Sequence, residues 1–184
     1  MTPRSFRFGC RLFACAMMQT LPLSAATYYV GSVANLATRI NSAVAGDEIV
    51  VSNGVYTTSS SIGIGRAGTA ANPIVIRAQS VGGAEISGTH GFSFNSGASF
   101  GTVQGFKFTH AAAISMGSSA NHCRLTRNII ELTIPATNDV SYINISGDDM
   151  EVDRNELRNK STLGEMLDIF RFGQPGSAAA VCAS

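Results

Sequence analysis

Past the first two dozen residues, apolar positions come in short runs separated by Gly, Asn and Ser, with one stretch of helical spacing among them. Residues 27–30, Thr-Tyr-Tyr-Val, read as a short strand. Val33, Leu36, Ala37, Ile40 and Val44 then recur at helical spacing, which predicts an amphipathic helix over 33–44. Gly46 and Asp47 break that period. A strand at 48–51, a turn at Ser52-Asn53-Gly54 and a second strand from Val55 follow. Further strands are predicted at 73–78, opened by Pro73, at 85–88 after Gly82-Gly83, and at 92–95 after Gly91. A short helix ahead of a series of strands suits the covered end of a β-solenoid, which would otherwise expose unpaired strand edges.

A weak internal repeat organises what comes next. Residues 103–108 align with 125–130 and again with 152–157, at offsets of 22 and 27 residues, about one turn of a parallel β-helix each. Stacked coils bring equivalent side chains together. Val103, Leu125 and Val152 would therefore form one inward ladder, and Phe108, Ile130 and Leu157 another. Asn128 and Asn155 fall at the bend between strands, where an amide side chain can satisfy turn backbone and tolerate left-handed φ; Gly105 serves the same bend without a Cβ. Segments 113–116, 142–145 and 166–169 supply a further face of each coil. An antiparallel sandwich of short strands is the competing architecture at this level. No low-complexity linker interrupts the series, so one domain is expected.

Composition narrows the class. Only 14% of the 184 residues are charged, 45% are hydrophobic and 19 are Gly, which suits short strands and tight turns rather than a coiled coil or an acidic disordered tail. Arg4, Arg7 and Arg11 precede an apolar run at 12–18 that continues through Leu21 to Leu23, and Ser24-Ala25-Ala26 offers small residues for cleavage. Residues 1–26 are thus expected to be an export signal cut after Ala25 or Ala26, with a buried N-terminal helix as the alternative. Too little apolar sequence precedes Cys15 for a lipoprotein site. No later apolar run reaches about 18 residues, so no membrane span is expected. Thirteen basic residues less those three leave ten against twelve acidic, a net of −2, which excludes a generally basic nucleic-acid binder. Cys123 and Cys182 remain after export, in a compartment that permits a disulfide. Cys123 lies in an apolar strand pattern, which favours a buried free thiol.

Several stretches together resemble polysaccharide lyase family 6, the alginate lyases and chondroitinase B. They are Ala26-Thr27-Tyr28-Tyr29-Val30, the run from Val44-Ala45-Gly46-Asp47 through Ser52-Asn53-Gly54-Val55-Tyr56, and Gly68 through Asn72-Pro73-Ile74-Val75-Ile76-Arg77-Ala78. Gly82-Gly83 leading to Ile86-Ser87-Gly88 follows, then Asp153-Arg154-Asn155-Glu156-Leu157-Arg158-Asn159-Lys160 with Gly164 and Leu167. The resemblance implies an all-β, right-handed, single-stranded parallel β-helix of the pectin-lyase type with a short N-terminal capping helix. It implies coils over 27–169 and a periplasmic or secreted protein whose partner is an acidic polysaccharide, alginate or glycosaminoglycan-like. It also implies β-elimination, in which calcium neutralises the uronate carboxylate, a lysine removes the C5 proton and an arginine supports the leaving oxygen.

Those groups lie on later coils in the family, so no catalytic or calcium role transfers to a residue here, and no metal ligand is assigned. Residues 170–184 depart from the repeat and read as an irregular, truncated end. The isolated chain is accordingly expected to be inactive, and a non-catalytic carbohydrate-binding or structural β-helix is the alternative. Lys160 matches a family-like lysine after the Asn155 bend. With Arg154 and Arg158 it forms the candidate substrate-binding set; the alternative is a solvated surface balanced by Asp153 and Glu156. The acidic run Asp148, Asp149, Glu151 and Asp153 is read as outward strand positions between inward Met150 and Val152. His90, His110 and His122 lack ligand spacing and are read as surface or loop residues. Gly63-Ile64-Gly65-Arg66 precedes no helix, which argues against a phosphate loop.

Overall fold

The structure, a computed structural model, describes residues 25–135, 140–160 and 165–169, together with the backbone strand at 180–182. The expected export signal falls almost wholly outside the described residues, as does most of the stretch after 169.

Strand β1 (Thr27–Val30) leads into helix α1 (Val33–Ser42). The Ser32 side chain caps the helix by accepting from the Asn35 amide at 3.2 Å. Leu36 and Ile40 are its buried face, packed over β1 and the first coil. The helix stops two residues short of the sequence expectation. Ala43 turns extended, and the Val44 amide donates to Asp47 Oδ2 at 3.0 Å. Asp47, itself buried, also accepts from the Ala26 amide at 3.0 Å, so one carboxylate ties the helix exit to the start of β1.

Five coils of three strands follow. They are β2 (Glu48–Val51), β3 (Gly54–Thr58) and β4 (Ile62–Ile64); β5 (Ile74–Ala78), β6 (Ala84–Gly88) and β7 (Phe92–Phe94); and β8 (Gly101–Gln104), β9 (Lys107–Phe108) and β10 (Ile114–Met116). Next come β11 (Arg124–Thr126), β12 (Ile129–Ile130) and β13 (Ile143–Ile145), then β14 (Glu151–Asp153), β15 (Glu156–Leu157) and β16 (Leu167–Ile169). Three sheets result, in the orders β1-β2-β5-β8-β11-β14-β17, β3-β6-β9-β12-β15 and β4-β7-β10-β13-β16, where β17 is Ala180–Cys182. Every strand pairing among the described residues is parallel, which removes the antiparallel sandwich. The chain is a right-handed parallel β-helix with an N-terminal cap. Within the stretch expected to be irregular, β17 pairs with β14, Cys182 opposite Asp153.

The predicted ladders hold residue for residue. Val103 pairs with Leu125 and Leu125 with Val152, while Phe108 pairs with Ile130 and Ile130 with Leu157. Ile49 and Ile76 extend the first ladder upward, and a third runs Ile64, Phe94, Met116, Ile145, Ile169. Phe92 meets Phe106 and Phe108 edge-on at 5.2 and 5.9 Å between ring centroids. Each fully buried Ile, Leu or Phe in this column contributes about 1.5–3 kcal/mol, which makes it the main source of stability.

The bend between the first and second sheets differs from expectation in one respect. Left-handed φ is held by Gly105 (78°), Arg127 (54°) and Arg154 (52°), the residues just before the asparagines. The asparagines satisfy backbone instead. Asn128 Oδ1 accepts from the Phe106 amide at 2.9 Å, its Nδ2 donates to Val103 O at 3.2 Å and to Asn155 Oδ1 at 2.9 Å. Asn155 Oδ1 accepts from the Asn128 amide and its Nδ2 donates to Leu125 O at 2.7 Å.

Cys123 is a free, buried thiol whose pKa is raised by that burial. The backbone of Cys182 is in register with Asp153 and Thr126, three residues beyond the level of Cys123 and two strands away. At about 4.8 Å per strand and 3.3 Å per residue this exceeds the roughly 7 Å a disulfide spans.

Candidate functional site

Arg154, Glu156 and Arg158 are exposed along the fifth coil, whereas Lys160 follows a left-handed Asn159 (φ 51°), which interrupts the alternation, and is half-buried. Arg154 occupies the left-handed bend and is well exposed; its Nε lies 3.5 Å from Asp153 Oδ2. Asp153 is an outward residue, yet it is covered. Arg124 grips it with two hydrogen bonds of 2.8 and 2.7 Å, which hold its carboxyl below the usual range against the opposing effect of burial. Arg124 also lies 3.3 Å from Glu151.

Arg158 forms a two-pronged pair with Glu156, both contacts at 2.6 Å, and this hydrogen bonding raises its pKa and lowers that of Glu156. Lys160 Nζ stands 5.7 Å from the ring centroid of Tyr142, whose hydroxyl donates to Leu132 O at 3.0 Å. Asn159 Nδ2 donates to Glu131 on the coil above. Arg154 and Arg158 thus stand exposed beside carboxylates on the fifth coil, while Lys160 lies over the Tyr142 ring.

Of the acidic run, Met150 and Val152 point inward as expected. Asp149 is exposed as expected, with His122 Nε2 3.4 Å away, and the His122 ring stacks on Phe100 with centroids 4.6 Å apart. Among the described residues no three His, Cys, Asp or Glu side chains converge on a point that would hold a metal ion.

His110 corrects the sequence reading. It is fully buried rather than at the surface, with its ring edge-on to Phe108 at 5.8 Å. Gly91 makes room for it, since a Cβ there would stand 2.0 Å from His110 Nε2. Neither ring nitrogen makes a hydrogen bond of good geometry, and burial depresses the pKa to about 4, against a smaller opposite pull from the Ala112 backbone.

Two grooves open beside these features. One of about 280 Å³ lies one to two coils above Arg154 at the same bend, against Arg77, Gln104 and Arg127. The other, about 430 Å³, lies beneath α1 among Asn41, Ser60, Ser61, Asn95 and Ser96. Neither is foreseen from the sequence. The repeat nevertheless puts Arg127 in the column of Gly105 and Arg154, which is the one available signal.

The sequence profile of the Chondroitinase B family matches residues 30–175. No curated protein matches the chain. Among solved structures it resembles a mannuronic-acid-specific family 6 polysaccharide lyase from human gut microbiota, at 20% identity and a TM-score of 0.64 over 78% of this chain and 36% of that one. A PL6 family polysaccharide lyase from Pseudopedobacter saltans gives 20% identity and 0.69 over 82% and 35%. The PL6 family alginate lyase AlyGC gives 19% identity and 0.70 over 82% and 22%. The chain therefore spans about a third or less of the length of these lyases. A family profile matched across most of the chain, on the parallel β-helix that those lyases share, establishes that the chain belongs to the Chondroitinase B family and has the fold of polysaccharide lyase family 6.

Proposed function

We propose that these coils bind an acidic polysaccharide, alginate foremost, within a lyase that cleaves uronate chains by β-elimination. The observation that carries this reading is the exposed pair Arg154 and Arg158 on a β-helix of this family, where a uronate carboxylate would compete with Glu156 for Arg158. A stacked solenoid presents such residues in line, so an extended polymer can meet them in turn. Guanidinium groups suit carboxylates because two N–H donors match two oxygens.

In the elimination itself, a base takes the C5 proton, the C4–O bond breaks, a C4–C5 double bond forms and the leaving oxygen is protonated. We assign these steps to none of the described residues. Arg158 is paired with Glu156, Glu151 and Asp153 lie against Arg124, and Asp149 lies against His122. Calcium chemistry is therefore assigned to no residue among those described. The same observations favour, as a second reading, a β-helix that binds carbohydrate without cleaving it. Export to the periplasm or beyond, were residues 1–26 to act as a signal, would give either form access to polymer.

Incubating the 184-residue chain with alginate and calcium, and following the ultraviolet absorbance of unsaturated uronate, tests the division of labour. No product is expected. Product formed by the purified chain would move the elimination chemistry onto its own residues.

A further inference from the structure

The groove above Arg154 is built differently from the strip of Arg154 and Arg158. Its walls include Arg77, Gln79, Val81, Gln104 and Arg127, and no carboxylate lines it. Its two guanidinium groups are not equivalent. Arg77 is engaged, with Nε donating to Glu48 at 2.6 Å and Nη1 reaching its neighbour's carbonyl, Ala78 O, at 3.4 Å. The Arg127 side chain is exposed and makes no ion pair or hydrogen bond among the described residues. The half-buried Gln104 amide is likewise unengaged among them. Gly105 forms the floor: a Cβ there would stand 3.7 Å from Ala78 Cβ and 3.9 Å from Val81 Cα, inside the groove. Val81, 70% exposed, is an apolar rim. Arg127 also holds a left-handed φ of 54°, a backbone region that favours glycine, at the level where the coil above has Gly105.

We propose that this groove is a separate subsite for one acidic sugar residue. The sugar carboxylate pairs with Arg127, the Gln104 amide hydrogen-bonds the hydroxyls, and the C–H face of the ring lies on Val81. The chemistry selects that ligand. A bare phosphate would satisfy Arg127 but leave the amide and the apolar rim unused, and a neutral sugar would leave the guanidinium unpaired. The volume, about 280 Å³, lies just below the roughly 300–1,000 Å³ typical of ligand pockets, which fits a single ring rather than a long segment. Position supports continuity with the strip: the Arg127 amide donates to Asp153 O at 3.4 Å, so Arg127 and Arg154 sit on adjacent coils, about 4.8 Å apart along the axis. The inference rests on the acidic-polysaccharide reading above and adds a second point of grip to it.

The test is a titration of the full chain with tetramannuronate, read by NMR at the Val81 methyls and the Gln104 side-chain amide. Arg127→Ala, Arg127→Gly and Arg158→Ala are run in parallel. Both signals are expected to shift with saturation, and Arg127→Ala to weaken binding about tenfold, as loss of a charge-assisted contact does. Arg127→Gly relieves the left-handed backbone, so it should melt no lower than the parent while binding equally poorly. Saturable binding with Val81 and Gln104 unmoved and full affinity in Arg127→Gly, but lost in Arg158→Ala, would overturn the subsite and leave the strip standing. Absence of any binding by the parent chain would overturn both.

Discussion

Asn128→Ala will destabilise the protein by about 3 kcal/mol, because unpaired buried polar groups cost roughly 1–3 kcal/mol each. The side chain is 1% exposed and joins backbone of the coil above, at Phe106 and Val103, to the Asn155 side chain of the coil below. Truncation strands the Phe106 amide, removes a donor from Val103 O and frees one side of Asn155. Water cannot repair this, since Phe106 and Val103 are themselves fully buried. Asn155→Ala should cost less, as Asn155 is only partly covered. Urea unfolding of the two variants checks the order. A midpoint for Asn128→Ala equal to the parent's would show that the ladder is ornamental.

Acid will weaken the fold well before the carboxylates titrate, and His110 is the reason. Its pKa falls from 6.5 to about 4 on folding, so the folded state resists a proton that the unfolded chain accepts. Stability is full above pH 6.5, declines as pH falls through the interval to about 4, and then levels off for this group. The loss is about 3 kcal/mol, because each tenfold drop in proton affinity on folding is worth about 1.4 kcal/mol. The paired carboxylates Glu48, Glu85 and Asp153 have lowered values, so their stabilisation is present above the ordinary carboxylate range and is lost below it. The two windows are therefore separable. His110→Leu should flatten the unfolding free energy between about pH 6.5 and 4.5 while leaving the steeper fall at lower pH. An unchanged slope in that variant would assign the acid sensitivity elsewhere.

Much of the architecture is legible in the sequence because apolar ladders leave a direct trace. Val103, Leu125 and Val152 align readily, since alternation within each strand and the 22- and 27-residue offsets agree on one register. The asparagine bend is legible for the same reason, although the strained backbone sits one residue earlier, on Arg127 and Arg154. His110 escapes the pattern when the alternation is followed only as far as Phe108. Extending it from Phe106 and Phe108 by two more residues turns His110 inward.

The candidate site is harder to read. Proximity in the sequence groups Arg154, Arg158 and Lys160, but the left-handed Asn159, bonded to Glu131 of the coil above, takes Lys160 off the alternation. The Arg124 grip on Asp153 depends on the register between β11 and β14. The groove at Arg127 depends further on the path of residues 79–83, which carry no periodic signal. Outward residues face solvent and are under weak packing constraint, so their grouping emerges only from the stacked fold.

The central claim is recognition of acidic polysaccharide, and titration calorimetry of the full chain tests it most directly. Oligomannuronate and a neutral oligosaccharide of equal length are compared at low and high salt. The account predicts saturable binding to the acidic oligomer alone, weakening as salt screens the exposed arginines. Equal binding of both, or binding of the acidic oligomer unmoved by salt, would contradict it.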